Sequence, residues 1–128
     1  MSSIRTVMKK DVIAVRPETP VGEAIGLLIE HGISGLPVTD ADGRVVGVVT
    51  EKDVLQLFHG SASAVRDIMT PEPRCFAVDA PLVDVVDCLM AKSYRRVMIH
   101  EDGKLVGLVS RADLMPAILE ALAERLEG

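Results

Sequence analysis

Aromatic residues are almost missing from this sequence: there is no tryptophan, and Phe58, Phe76 and Tyr94 are the whole aromatic complement of 128 residues. So sparse a set offers no stacking platform for bases. A net charge of −5, with no cluster of lysine and arginine, also removes the basic footprint that nucleic acid requires. No apolar run approaches the roughly 18 residues that span a bilayer, so no membrane insertion is expected. The opening MSSIRTVMKK lacks the apolar core of a secretory signal, and the expectation is a cytoplasmic protein. Cys75 and Cys88 are the two cysteines, both inside apolar periodic segments, and in a reducing compartment they read as small core hydrophobes and not as a disulfide. What is abundant is aliphatic. Hydrophobic residues make up 48% and charged residues 26%, the composition of a globular chain with an aliphatic core.

An internal repeat organises the chain. A shift of 61 positions lays VMKKDVIAVRPETPVGEAIGLLIEHGISGLPV over IMTPEPRCFAVDAPLVDVVDCLMAKSYRRVMI, matching Met8 with Met69, Pro20 with Pro81 and Leu28 with Leu89. After a one-residue deletion, a shift of 60 lays DGRVVGVVTEKDVL over DGKLVGLVSRADLM, matching Gly43, Gly47 and Asp53 with Gly103, Gly107 and Asp113. The copies occupy residues 1–60 and 61–128, the second with an extended C-terminal helix, and HGSASA at 59–64 reads as the linker.

Each copy predicts the same elements. A short extended segment (Val12 to Val15; Arg74 to Val78) leads through a proline turn to a helix, Val21 to His31 or Leu82 to Lys92. Ala24, Leu27 and Leu28, and likewise Val85, Cys88 and Leu89, fall at helical spacing and give each helix one apolar face. Two strands follow, Leu36 to Thr39 with Val45 to Val49 and Val97 to His100 with Leu105 to Val109. An Asp-Gly pair between β-branched runs is the hairpin signal in both. A second helix starts at Thr50 or Ser110. The fold class is therefore α+β, two β-α-β-β-α repeats. Units this small cannot bury both faces of their strands alone, so the repeats are expected to pack about a pseudo-twofold axis. In the last helix Met115, Leu119, Leu122 and Leu126 form a narrow seam that either caps the chain's own core or joins a homodimer, and Pro116 is expected to kink the helix near its start.

The most informative motif occurs twice, as GVVTEKD (Gly47 to Asp53) and GLVSRAD (Gly107 to Asp113). Each is a strand running into a hydroxyl residue, with an aspartate three positions later in the first turn of a helix. Such a pair can serve as a capping box, satisfying helix-start N–H groups without any ligand. It can equally bind: the turn presents N–H groups and the positive helix end to a phosphate, and an aspartate carboxylate accepts two hydrogen bonds from a ribose diol.

In these residues the chain resembles a pair of cystathionine-β-synthase (CBS) domains, a Bateman module. The likeness runs from about Thr6 to Leu119 and is carried by VMKKDVIAV, IMTPEPRCFAV, HGISGLPVTDADGRVVGVVTEKDVL and KSYRRVMIHEDGKLVGLVSRADLM. The resemblance implies a regulatory module for adenosine compounds such as AMP, ADP, ATP or S-adenosylmethionine, with or without Mg2+. It implies that Asp53 and Asp113 hold the ribose and that Thr50 and Ser110 lie near ribose or phosphate. It further implies that the base is held by Met8, Asp11, Val12 and Ile13 in the site of Asp113, and by Met69, Pro73 and Arg74 in the site of Asp53.

The two sites differ in charge. Tyr94-Arg95-Arg96 stands in the second copy where the first has Ile33-Ser34-Gly35. Two guanidiniums suit a phosphate chain, although adjacent strand residues face opposite ways and one of them is expected to point to solvent. The second-copy site is therefore the favoured nucleotide site, with Asp11 opposing phosphate if it points inward. The first-copy site has Arg74 as its one nearby cation, beside Glu51 and Asp11, and is expected to be empty or to prefer an uncharged nucleoside.

His31, His59 and His100 are scattered without a metal-ligand partner, Thr50 and Ser110 lack a base, and no Walker-type or dinucleotide loop occurs. Catalysis is not expected. The alternative to a nucleotide sensor acting in trans on an unknown protein target is a ligand-free dimerisation or protein-interaction module in which the Ser/Thr and Asp pairs are helix caps only.

Overall fold

The structure is a computed structural model that describes residues 2–71, 73–91 and 94–127. The elements are α1 (Ile4–Val7), α2 (Val21–His31), β1 (Gly35–Thr39), β2 (Val45–Thr50), α3 (Glu51–Leu55), β3 (Thr70–Pro71), β4 (Cys75–Ala77), α4 (Leu82–Ala91), β5 (Arg96–Glu101), β6 (Lys104–Ser110) and α5 (Arg111–Glu127). They form an α+β fold with two three-stranded sheets, ordered β1-β2-β3 and β4-β5-β6. The predicted helix α2 has the expected bounds, and Gly32 ends it in the left-handed conformation at φ 60°. Lys92, the expected last residue of the following copy's helix, lies outside the described residues. Among the described residues no helix is long and apolar enough to cross a membrane.

The chain divides into two compact units. One contains the chain up to Val12, Arg74–Asp102 and the chain from Val106 onward; the other contains Ile13–Pro73 and Gly103–Leu105. Each unit thus combines the opening segment of one copy with the sheet and helices of the other. In the first unit Ile4, Met8, Phe76, Val85, Leu89, Val97, Ile99, Val109 and Leu114 share one core. In the second, Val15, Ala24, Leu28, Leu36, Val38, Val49 and Val65 do so. The predicted helix faces supply these cores as expected: Ala24 and Leu28 are buried, as are Val85, Cys88 and Leu89. Both cysteines are free, and burial pushes the Cys75 thiol above its ordinary value against the opposing pull of Arg74, which leaves little thiolate.

The expected extended segment Val12 to Val15 is shorter than its counterpart, for a reason that lies in two prolines. In the first unit β4 runs parallel to β5 over Cys75 to Ala77. The ladder is continued on either side by Met98 N–H donating to the Arg74 carbonyl at 3.3 Å and Val78 N–H donating to the His100 carbonyl at 2.8 Å. The positions equivalent to those two donors are Pro37 and Pro17, which have no N–H. Only Val15 remains, donating to the Pro37 carbonyl at 3.0 Å and accepting from Thr39 N–H at 2.8 Å.

The hairpins differ as the one-residue deletion requires. Asp102 and Gly103 both have positive φ, 54° and 85°, the signature of a two-residue type I′ turn. In the longer first hairpin only Gly43 is left-handed, at φ 83°, and the Asp40 carboxylate accepts from the N–H of Asp42 and Arg44 at 2.9 and 3.0 Å.

Before β3, Asp67 closes a single 3-10 turn, Val65–Asp67, by accepting from the N–H of Ala64 and Ser63 at 3.1 Å each. These bonds hold its carboxyl below the ordinary 3.8. A depressed folded value stabilises above the unfolded value and is lost as pH falls through the folded one. Unfolding free energy should therefore decline from about pH 4 downward. Asp67→Asn should flatten that limb in a pH series of urea unfolding.

Helix α5 does not use its leucine seam inside the chain. Leu114 and Ala117 are its buried residues, whereas Met115, Leu119, Leu122 and Leu126 are between 47% and 88% exposed. The expectation that the seam caps the chain's own core is set aside by that exposure. Pro116 lies inside the helix, where it removes one backbone donor.

Candidate functional site

Both Ser/Thr-to-Asp turns form capping boxes, and in both the box engages mainly one carboxylate oxygen. In the first unit Asp113 Oδ2 accepts from the Ser110 N–H at 2.8 Å and the Ser110 hydroxyl at 2.9 Å. The Asp113 N–H donates back to Ser110 Oγ at 3.3 Å. In the second unit Asp53 Oδ2 accepts from the N–H and hydroxyl of Thr50 at 2.9 and 3.0 Å, with Asp53 N–H returning to Thr50 Oγ1 at 3.4 Å. The strand delivers the hydroxyl residue in extended conformation, φ −113° at Thr50, as an N-cap needs.

The second oxygen has a different neighbour in each unit. Lys9 Nζ lies 3.8 Å from Asp113 Oδ1, with the lysine side chain 73% exposed and the aspartate only 10%. Thr70 donates its hydroxyl to Asp53 Oδ1 at 3.1 Å. A carboxylate that closes the cap mainly through one oxygen and meets a separate neighbour through the other is able to cap a helix and accept hydroxyls from a ligand at once. The two readings of the motif are compatible.

Two glycines let the opening segments approach. A Cβ on Gly107 would stand 2.6 Å from Met8 Sδ and 3.0 Å from the Lys9 carbonyl; one on Gly47 would stand 2.9 Å from Met69 Sδ and 3.0 Å from the Thr70 carbonyl. Lys9 pairs with Leu108 through bonds of 2.8 and 3.0 Å, and Thr70–Pro71 pairs with Gly47 and Val48. Strand, lead-in and turn are thereby locked together within each unit.

Of the residues expected around Asp113, the structure places Met8, Ser110 and Arg96 in the same unit, Ser110 bonded to Asp113, Met8 against Gly107 and Arg96 close enough to interact with the carboxylate. Arg96 is half-buried on β5; burial lowers its hold on the proton, and the Asp113 carboxylate acts in the opposite direction. Arginine nonetheless stays charged at neutral pH. Arg95 is exposed in the bend just before β5, outside the strand on which the alternation was expected. Asp11 is exposed after the Lys9 bridge, and Val12 is half-buried with its N–H on the Lys10 carbonyl at 3.0 Å. Ile13 packs on the core of the other unit.

Around Asp53 the structure gathers Thr50 and Met69, with Pro73 half-buried at the end of the unit. Arg74 belongs to the other unit, where its guanidinium stacks 4.6 Å over the Phe76 ring. Lys9 and Thr70 are the site residues that the sequence reading passed over, and their corresponding places after Met8 and Met69 were the available signal. Arg111 steadies the start of α5 by donating Nε–H to the Leu89 carbonyl at 3.1 Å.

Comparison with known proteins bears on both copies. The profile of the CBS domain matches residues 4–60 and again 65–120. An inosine-5'-monophosphate dehydrogenase of Methanocaldococcus jannaschii is 34% identical over 110 residues, 85% of this chain and 22% of its own. The chloroplastic CBS domain-containing protein CBSX1 of Arabidopsis thaliana is 32% identical over 144 residues, 88% of this chain and 61% of its own. The chain thus spans less than two thirds of either relative. A crystal structure of CBSX2 in complex with AMP superposes with a TM-score of 0.85 at 30% identity, covering 94% of this chain and 98% of that one. With each copy matched along nearly all of its length, the chain belongs to the CBS-domain family.

Proposed function

We propose that the chain is a cytoplasmic, non-catalytic sensor that binds an adenosine nucleotide at the Ser110–Asp113 turn and passes its state to a protein partner. The observation that carries this reading is the Asp113 carboxylate, fixed through Oδ2 and turned through Oδ1 toward Lys9, with the Arg96 cation near enough to interact with it. AMP is the first candidate because the similar CBSX2 structure holds it. ADP, ATP and S-adenosylmethionine follow, and Mg2+ would accompany the longer phosphates. A bound nucleotide changes the protein's conformational balance only as far as it binds one arrangement better than another.

The test is thermal unfolding of the purified chain with AMP, ADP, ATP, S-adenosylmethionine, NAD and GTP, with and without Mg2+. A ligand at about 100 times its Kd adds roughly 2.7 kcal/mol, which raises the midpoint by several degrees. A selective rise with an adenosine compound is expected; no rise with any of them rejects the reading and leaves the interaction module.

The exposed face of α5 supports homodimerisation as the route of output. Met115, Ile118, Leu119, Leu122 and Leu126 are all exposed in the single chain, and a seam of this kind is suited to a second helix. Light scattering on a sizing column should give twice the chain mass. Leu119→Glu should give a folded monomer.

A further inference from the structure

The two turns share a backbone design and differ in what covers them. Lys9 and Thr70 hold corresponding places, each directly after the methionine that lies against a strand glycine. Each reaches the Oδ1 oxygen of its aspartate, Lys9 with a cation at 3.8 Å and Thr70 with a neutral hydroxyl at 3.1 Å. The aligned neighbours reinforce the contrast: Arg96 and Arg111 in one copy stand where Gly35 and Glu51 stand in the other. Lys9 and Arg96 both bear on Asp113, and Arg111 donates Nε–H to the Leu89 carbonyl. Asp53 has Thr70 and Thr50 as partners and Glu51 beside it on α3.

We propose that Lys9 sets the charge preference of the Asp113 site, selecting a phosphorylated adenosine compound, while Thr70 leaves the Asp53 site to an uncharged nucleoside. This inference rests on the nucleotide site proposed above and deepens it. The Lys9 ammonium is a point charge on a flexible, exposed stem, and its pairing with Asp113 is loose, so little is lost when it turns to a phosphate. A ribose diol accepted by Asp113 brings a phosphate into the region swept by that ammonium. At Asp53 a phosphate would instead meet Asp53 and Glu51, with the Thr70 hydroxyl already donated to the carboxylate.

The experiment is calorimetric titration of the full chain with AMP and with adenosine. Lys9→Thr and Lys9→Met should each weaken AMP binding about tenfold, the worth of one charge-assisted contact, and leave adenosine unchanged. Lys9→Arg should retain most of the AMP affinity, and Thr70→Lys should add AMP binding at the second turn. The AMP affinity of Lys9→Thr should also vary less with salt than that of the wild type. If Lys9→Thr and Lys9→Met lower both ligands equally, or neither, the inference is overturned while the site stands. If the wild-type chain binds neither AMP nor adenosine, the site fails and the inference with it.

Discussion

Asp113→Asn is expected to weaken AMP binding by about ten- to a hundredfold, the worth of a hydrogen bond to a charged group of roughly 1.5–3 kcal/mol. The substitution separates the two duties of this side chain. Asparagine keeps one carbonyl oxygen, which can still accept from the Ser110 N–H and hydroxyl that now lie 2.8 and 2.9 Å from Oδ2. It replaces Oδ1 by an NH2, which donates where a ribose diol also donates, and it removes the negative charge that faces Lys9 at 3.8 Å. Stability should change little, whereas Asp113→Ala, which deletes the cap as well, should cost about 1 kcal/mol. Asp53→Asn should leave AMP binding as it is, because its turn carries a threonine hydroxyl in place of the Lys9 cation. Calorimetric titration checks the affinities and urea unfolding the stabilities. Unchanged affinity in Asp113→Asn would reduce both motifs to helix caps and favour the ligand-free interaction module.

Gly107→Val should produce the largest loss of stability among surface-distant single changes to the turn, about 3 kcal/mol and roughly 10 °C in midpoint. The first atom of any side chain there meets Met8 Sδ at 2.6 Å and Cγ at 2.9 Å. Methionine can give way, but the Lys9 carbonyl at 3.0 Å belongs to backbone that is bonded to Leu108 in both directions. The opening segment must therefore separate from β6, taking Ile4 and Met8 away from the core they fill and Lys9 away from Asp113. Weakened AMP binding should accompany the lost stability. Gly26→Ala is the control: nothing lies within 4 Å of its Cβ position on α2, and removing a helical glycine should stabilise by about 0.5–1 kcal/mol. Urea unfolding followed by circular dichroism measures both.

The repeat, the apolar helix faces and the Asp-Gly hairpins were legible in the sequence because each rests on local periodicity or on one turn's φ requirement. Helix α2 falls on its expected residues, since Ala24 and Leu28 must share a face and Gly32 must end it. Three features were less legible, each because it depends on partners distant in sequence. The strand around Val15 shrinks to one bridge because the donors missing at Pro17 and Pro37 matter only once the ladder is known. The stacking of Arg74 on Phe76 follows from a strand register that the sequence does not show. Lys9 lies more than a repeat away from Asp113 and Thr70 lies 17 residues beyond Asp53 on a separate strand, and the close approach at Gly107 and Gly47 brings them to the carboxylates. The two aspartates themselves were legible because a hydroxyl residue and an acid at capping spacing, repeated in register, form a local motif.

The measurement that tests the nucleotide site most directly is backbone-amide chemical-shift mapping of the isotope-labelled chain during titration with AMP. The largest saturable shifts should fall on Lys9, Arg96, Ser110, Arg111 and Asp113. Spectra unchanged at millimolar AMP, or shifts confined to the Thr50–Asp53 turn, would contradict the assignment.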